Sequence, residues 1–212
     1  MTQRSDTTVE ITLDSLTLDG TLTVPDGASG IVVFAHGSGS SRHRPQNTHL
    51  AERLRSHGLG TLLFDLLTIS EEQNQANQFD IELLTNRLAG TVGWLRDHEI
   101  SREQTLGLFG TQTGAAAALQ VAAGSDEIGA VVSRDGRVDM AADALAAVEC
   151  PTLLIVGEAA GELPELNQAA YEQLACRKQL YTVPGSDHQF QREGDLEAVA
   201  EVAADWFATE LQ

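Results

Sequence analysis

The most informative segment of this chain is Leu106-Gly107-Leu108-Phe109-Gly110-Thr111-Gln112-Thr113-Gly114, followed by the alanine run 115–118. The apolar residues at its start predict a buried strand, and the alanines predict a helix that packs close behind it. The glycines on either side of the turn are typical of a strained strand-to-helix turn, where the backbone leaves no room for side chains. Gln112, in the middle, is therefore predicted to project over the carboxyl end of a sheet.

This arrangement has the spacing of a nucleophile elbow, G-x-S-x-G, with glutamine in place of the serine. The amide nitrogen of Gln112 cannot attack an ester, because its lone pair is delocalised into the carbonyl group. Thr111 and Thr113 are poor substitutes, since the side chains beside an elbow residue pack into the strand and the start of the helix. Glycine-framed turns also occur in other α/β proteins, so the motif needs support from the rest of the chain.

Strand and helix patterns alternate along the remaining sequence, which predicts one α/β sandwich domain over residues 1–212. Residues 9–13 and 16–24 alternate in polarity and predict an N-terminal antiparallel hairpin. The polar run 71–78 is expected to form a mobile loop at the rim of the site. Continuous apolar runs predict a mainly parallel sheet, and helical periodicity marks two of the covering helices: strands at 31–34, 61–64, 106–109, 130–132, 153–156 and 180–183, and helices over 81–95 and 196–207.

The chain carries a formal net charge of −18, and Lys178 is its only lysine. Such a charge disfavours nucleic acid and anionic membranes as partners. It is typical of proteins from a high-salt cytoplasm, although an acidic mesophilic protein is the alternative. No apolar run approaches the roughly 20 residues that cross a bilayer, and residues 1–6 lack the apolar core of a signal peptide. We therefore expect a cytoplasmic protein.

Two cysteines, Cys150 and Cys176, are expected to be buried, reduced thiols. Their spacing does not match a metal-binding motif, so neither a metal nor a cofactor is predicted. The composition gives no information on the oligomeric state.

His36-Gly37-Ser38-Gly39-Ser40-Ser41 follows the first predicted parallel strand directly. A turn of this type supplies backbone N–H groups to a developing oxyanion, and Gly37, Ser38 and Thr113 are the candidate donors. A phosphate-binding loop is the alternative interpretation. A Walker loop would need a lysine, and a dinucleotide loop would need a third glycine. Asp65, near the end of the next strand, leaves the nucleotide alternative open.

Together, residues 36–41, the 110–114 turn and Pro184-Gly185-Ser186-Asp187-His188 resemble the small α/β-hydrolases related to dienelactone hydrolases. The resemblance covers nearly the whole chain and keeps the family's order of nucleophile, acid and histidine. It implies an α/β-hydrolase sandwich with a minimal lid. It also implies hydrolysis of esters or lactones by a nucleophile, a histidine and a carboxylate, without a cofactor.

The resemblance assigns roles to individual positions. His188 matches the general base, and the nucleophile position falls on Gln112. The usual position of the acid falls on Ala160, which carries no carboxylate. Asp135, at the end of the preceding strand, is a possible replacement for that acid, and two loop acids are further candidates, Glu158 and Glu162.

Loss of the nucleophile costs on the order of 10⁶ in kcat in a serine hydrolase. A typical enzyme at ~10 per second would slow to about one turnover per day. Three hypotheses follow from the substitution of Gln112. The protein is a degenerate hydrolase that binds a small carbonyl or carboxylate ligand, an active carboxylic-ester hydrolase with an unrecognised nucleophile or activated water, or a non-catalytic interaction domain.

Overall fold

A sheet of eight strands organises the computed structural model, which describes residues 6–13, 16–37 and 42–212. The strands lie in the order β1-β2-β4-β3-β5-β6-β7-β8. Their bounds are β1 Asp6–Leu13, β2 Leu16–Thr23, β3 Gly30–Ala35, β4 Gly60–Phe64, β5 Thr105–Thr111, β6 Ile128–Arg134, β7 Thr152–Gly157 and β8 Lys178–Val183.

The strand directions confirm the predicted architecture. β1 pairs antiparallel with β2, and β2 pairs antiparallel with β4. The pairs from β4 through β3, β5, β6 and β7 to β8 are all parallel. Every residue of β3, β4 and β7 is buried. Strands of this kind are covered on both faces, which explains why their sequences are continuously apolar.

Helices cover both faces of this sheet. Side chains of α3, α4 and α5 pack on one face with Val33, while those of α1 and α6 pack on the other face with Val32 and Phe34. Neighbouring residues of β3 thus point to opposite core layers, as the two-residue period of a strand requires. In the described part of the chain, no helix is long and apolar enough to span a membrane. The helices are α1 Pro45–Ser56, α2 Ile69–Glu72, α3 Ile81–Asp97, α4 Thr113–Ala123, α5 Leu163–Gln173 and α6 Asp195–Glu210, and 3₁₀ segments span Asn77–Phe79 and Val138–Ala147.

The polar run 71–78 is not the irregular loop that the sequence suggested, because α2 and a 3₁₀ turn extend into it. Thr68 begins α2 with a capping box in which its side chain and that of Glu71 bond each other's backbone N–H groups. Glu71 also forms an ion pair with Arg87 of α3 at 2.6 Å. Asn77 donates its side-chain amide to the carbonyl oxygen of Glu71 at 3.0 Å. Polar contacts stabilise this segment, so its sequence lacks the apolar periodicity from which helices are predicted.

Cys150 and Cys176 are free thiols, but both are half-buried and not fully buried as expected. Each precedes an outer parallel strand, β7 or β8, where the core ends. Burial raises the pKa of the Cys150 thiol to about 12, so this group stays protonated at neutral pH.

Candidate active site

The turn between β5 and α4 has the geometry of an elbow. Gln112 adopts φ 52° and ψ −127°, a strained conformation for a residue with a side chain. A Cβ atom at Gly114 would overlap with the carbonyl oxygen of Ala35, and one at Gly110 would overlap with the Cα of Ala115. Both glycines are therefore needed for the strand, the turn and the helix to lie this close together.

A cavity of about 300 Å³ opens beside the elbow, at the carboxyl end of the parallel strands. It brings together three residues that the sequence placed in the site: Gln112, Asp135 and the exposed His188. His188 lies in the loop between β8 and α6. The full lining consists of Arg44, Gln46, Thr111, Gln112, Arg134, Asp135, His188 and Gln189.

Asp135 is a buried carboxylate in which only one of the two oxygens has a hydrogen-bond partner among the described residues. Its Oδ1 accepts a hydrogen bond from the N–H of Gly157 at 3.0 Å, whereas Oδ2 is buried with no hydrogen-bond partner among the described residues. Burial raises the pKa of Asp135 to about 6, although the Gly157 bond and the charges of Arg134 and His188 oppose the shift. The residue follows β6 directly and adopts φ 44°, and it lines the cavity.

No hydrogen bond within the described part of the chain joins Asp135 to His188. The Nε2 atom of His188 instead lies 3.2 Å from the side-chain nitrogen of Gln189. A nucleophile, base and acid in hydrogen-bonded sequence is the arrangement that activates a serine hydrolase. The cavity is lined by the predicted base, His188, and by the carboxylate of Asp135, but these side chains are not bonded to each other.

Ala160, at the usual position of the acid, does not belong to the lining of the cavity. It is buried against Val156 and Leu163 in a small apolar cluster. Glu158 accepts a hydrogen bond from the N–H of Gly185 at 2.7 Å and is also absent from the lining, as is Glu162. Among the candidate acid positions, Asp135 is the one that borders the cavity.

The predicted oxyanion donors differ in their availability. The N–H of Gly37 already donates to Oγ1 of Thr111 at 3.1 Å. Thr113 is the first residue of α4, where backbone N–H groups have no partner inside the helix, so its N–H is free of intrahelical bonds. A Cβ at Gly37 would overlap with that of Gln112, which explains the glycine there. Ser38, the third candidate, lies outside the described residues.

Arg134 was not predicted as a site residue. Its half-buried guanidinium lies 5.7 Å from the ring centre of Phe109 and forms no hydrogen bond or ion pair with another described residue. Burial lowers the pKa of Arg134 to about 10, and repulsion from Arg44 lowers it further. The negative charge of Asp135 acts in the opposite direction. The sequence feature that could have identified Arg134 is a charged residue directly after the apolar part of β6. In α/β proteins, ligands bind at the carboxyl ends of such strands.

Asp65, directly after β4, has hydrogen-bond partners on both of its carboxylate oxygens. Its Oδ1 lies 2.9 Å from Nε2 of His36 and accepts the backbone N–H of Arg42 at 2.9 Å, while its Oδ2 accepts from the Arg42 guanidinium at 2.9 Å. Asp65 therefore contacts both His36 and Arg42. The dinucleotide interpretation needed this carboxylate for a ribose hydroxyl, and its protein partners disfavour that role.

This fold and this cavity define an α/β-hydrolase. The sequence profile of the family described as "Alpha/beta hydrolase domain" matches residues 28–210, and the chain belongs to that family. A dienelactone hydrolase from Anabaena variabilis, solved by crystallography, is 44% identical with a TM-score of 0.95, over 99% of this chain and 100% of that one. The dienelactone-hydrolase-like fold inferred from the sequence is thereby confirmed.

Two further comparisons bear on the chain's relatives. Est1E from Butyrivibrio proteoclasticus shares the fold with a TM-score of 0.82 at 16% identity, over 98% of this chain and 99% of that one. A Mycobacterium tuberculosis protein named "Putative phosphoribosyl transferase" is 49% identical over 207 residues. That match covers 97% of this chain but 47% of the relative. The chain thus spans about half the length of the curated relatives it matches.

Proposed function

We propose that this protein is a degenerate ester or lactone hydrolase that retains its cavity for binding a small carboxylate or carbonyl compound. The position of Gln112 carries this proposal. The residue occupies the strained elbow and borders the cavity with His188. An amide at that point donates and accepts hydrogen bonds, but it does not form the acyl intermediate of a serine hydrolase.

The charges in the cavity support an anionic group on the ligand. Arg134 and Arg44 both line it, and no described carboxylate forms an ion pair with Arg134. A guanidinium binds a carboxylate through two parallel hydrogen bonds, and such bonds are strongest where water is excluded. The side-chain amide of Gln112, which also lines the cavity, supplies a further donor.

The name of the curated relatives suggests phosphate, beside carboxylate, as a second anionic group to test as a ligand. A phosphoribosyl group carries a phosphate, which arginine also recognises through paired hydrogen bonds. Ribose 5-phosphate is therefore a suitable probe beside a carboxylate.

Calorimetry with maleate, its neutral dimethyl ester and ribose 5-phosphate tests the binding proposal. We expect an anion to bind and Arg134→Met to weaken that binding at least tenfold, because the cation is lost while the stem is retained. Arg177→Met is the matched control, since Arg177 also lies over an aromatic ring, 5.6 Å from Trp206, but outside the cavity. Absence of binding by all three probes would contradict the proposal and favour an interaction domain.

Ester hydrolysis tests the degenerate chemistry. The natural protein should cleave 4-nitrophenyl acetate no faster than its His188→Ala variant, because the nucleophile is absent. Gln112→Ser restores a nucleophile, and addition of Asp135→Asn or Ala160→Asp shows which position orients His188. Loss of an orienting acid costs about 10⁴-fold in a serine protease. Labelling of the natural protein by a fluorophosphonate would show that another residue attacks.

An active hydrolase using activated water is the second candidate, and Asp135 supports it. A buried carboxylate with a pKa of about 6 and an unpartnered oxygen is suited to act as a general base near neutral pH. In that case the natural protein would hydrolyse esters in a rate profile that rises through about pH 6. Asp135→Asn would abolish this activity, whereas it would leave a degenerate protein unchanged.

A further inference from the structure

A cluster of ionisable side chains lies outside the cavity, where the end of α1 meets α6. His57, Glu201 and Asp205 each offer one ligand atom, and these atoms all lie within 4.8 Å of one another. The Nε2 atom of His57 is 3.7 Å from Oε1 of Glu201 and 3.6 Å from Oδ1 of Asp205. Both distances are too long for hydrogen bonds. The two acids are four residues apart, so they share one face of α6.

The other ring nitrogen of His57 defines which atom faces the acids. Nδ1 lies 3.0 Å from the backbone oxygen of Arg53, which can only accept a hydrogen bond. The Nδ1–H therefore donates to that oxygen, and in the neutral ring Nε2 carries the lone pair. A lone pair facing two carboxylates is unfavourable, and either a proton on Nε2 or a metal cation between the groups removes the repulsion. Histidine metal ligands are commonly oriented by an N–H to carbonyl bond of this kind.

We propose that His57, Glu201 and Asp205 bind a divalent transition-metal ion, of which zinc fits the donor set best. Zinc accepts imidazole nitrogen and carboxylate oxygen at about 2.0–2.2 Å, which places donors in a tetrahedral site about 3.3 Å apart. The nitrogen-to-oxygen distances need to shorten by only a few tenths of an ångström. The dication also neutralises the two carboxylates.

The surroundings prepare the cluster for an ion. Arg53 pairs with Oε2 of Glu201, which holds that side chain and leaves Oε1 for the metal. The side chains of His57, Glu201 and Asp205 are 24%, 40% and 69% exposed, so an ion can enter and water can complete its coordination. The net charge of −18 concentrates cations at the surface. A bound ion links the end of α1 to α6.

This site revises the expectation that no metal binds, which rested on the spacing of the cysteines. The three ligands are not in a sequence motif. His57 is more than 140 residues from both acids in the sequence, so only the packing of α1 against α6 brings them together.

Calorimetric titration of Zn²⁺ into chelator-treated protein tests the proposal. We expect binding that His57→Ala and Asp205→Asn each weaken at least tenfold. His49→Ala is the matched control, because His49 lies on the same helix and contacts Glu197 of α6 at 3.0 Å, two turns away. This variant should bind Zn²⁺ as the natural protein does. If His57→Ala does not fold, the exposed Asp205 position decides the test.

Thermal unfolding gives an independent measurement. Zn²⁺ at a hundredfold excess over its Kd should raise the melting temperature by about 5–10 °C, and EDTA should reverse the rise. Mg²⁺ should have little effect, because it prefers oxygen ligands in an octahedral arrangement. Unchanged Zn²⁺ affinity in both ligand variants, or equal loss in His49→Ala, would overturn the assignment. Equal stabilisation by Mg²⁺ would reduce the cluster to a nonspecific acidic surface.

Discussion

The two ends of the parallel sheet are built on different principles. At the amino end, glycines let apolar side chains approach closely: a Cβ at Gly107 would lie 2.7 Å from the ring of Phe207, and one at Gly129 would lie 2.9 Å from Leu211. At the carboxyl end, Gln112 and Asp135 adopt positive φ angles. A buried oxygen of Asp135 has no partner among the described residues. Backbone strain costs stability, and strained residues of this kind are typical of functional sites.

Gly114→Ala should produce the largest difference between the two ends. The new methyl group would meet the backbone of Ala35, which cannot turn away, so we expect a loss of more than about 3 kcal/mol. Gly107→Ala at the amino end should cost about 1–2 kcal/mol, since the ring of Phe207 can shift. Gly93→Ala is the control: no atom lies within 4 Å of its Cβ, and alanine favours a helix by roughly 0.5–1 kcal/mol. Urea denaturation measures all three, and similar values for Gly114→Ala and Gly107→Ala would refute the comparison.

Asp135→Asn should stabilise the protein in a pH-dependent way. The folded-state pKa of about 6 exceeds the ordinary 3.8, so the folded state binds the proton more tightly. Stability from this group is therefore greatest below pH 4 and is lost as the pH rises through 6. Above that pH the cost is about 3 kcal/mol, which asparagine removes while it keeps the bond to Gly157. The variant should be more stable at pH 8 and equal to the natural protein near pH 3.5.

Asp139→Asn provides the opposite case for the same change in net charge. The hydrogen bond from Arg137 holds the pKa of Asp139 below its usual value, despite a smaller opposing effect of burial. Its contribution is thus present at neutral pH and lost in acid, so this variant should be the less stable one at pH 8. Denaturation curves at several pH values distinguish the two aspartates, and parallel behaviour would contradict a buried, unpaired Asp135.

Arg134→Met should have the smallest effect on stability, a gain of about 1 kcal/mol or none, because no described carboxylate pairs with its guanidinium. Arg177→Met should instead lose a little stability, since Arg177 is paired with Glu210 at 3.0 Å. Chemical denaturation of both variants gives the comparison. A clear loss of stability in Arg134→Met would mean that the guanidinium stabilises the fold through its contact with Phe109, and would count against a role in ligand binding.

Sequence reasoning succeeded where a feature depends on neighbouring residues. Apolar runs identified the strands, and the glycines around Gln112 identified the elbow, because both are consequences of local backbone geometry. It was less successful with polar segments. Two short helical segments overlap the run 71–78, and contacts of Glu71 stabilise them. Polar contacts of this kind leave no hydrophobic periodicity in the sequence from which they could be predicted.

The sequence alone predicted the strands of the sheet, the glycine-framed turn around Gln112, and the loop that carries His188. Packing determines that Asp135 and not Ala160 borders the cavity, and that Arg134 lies there with no carboxylate partner among the described residues. It also determines the meeting of His57 with the acids of α6. The physical reason is that burial, desolvation and contact between distant segments are properties of packing, which no local pattern of residues encodes.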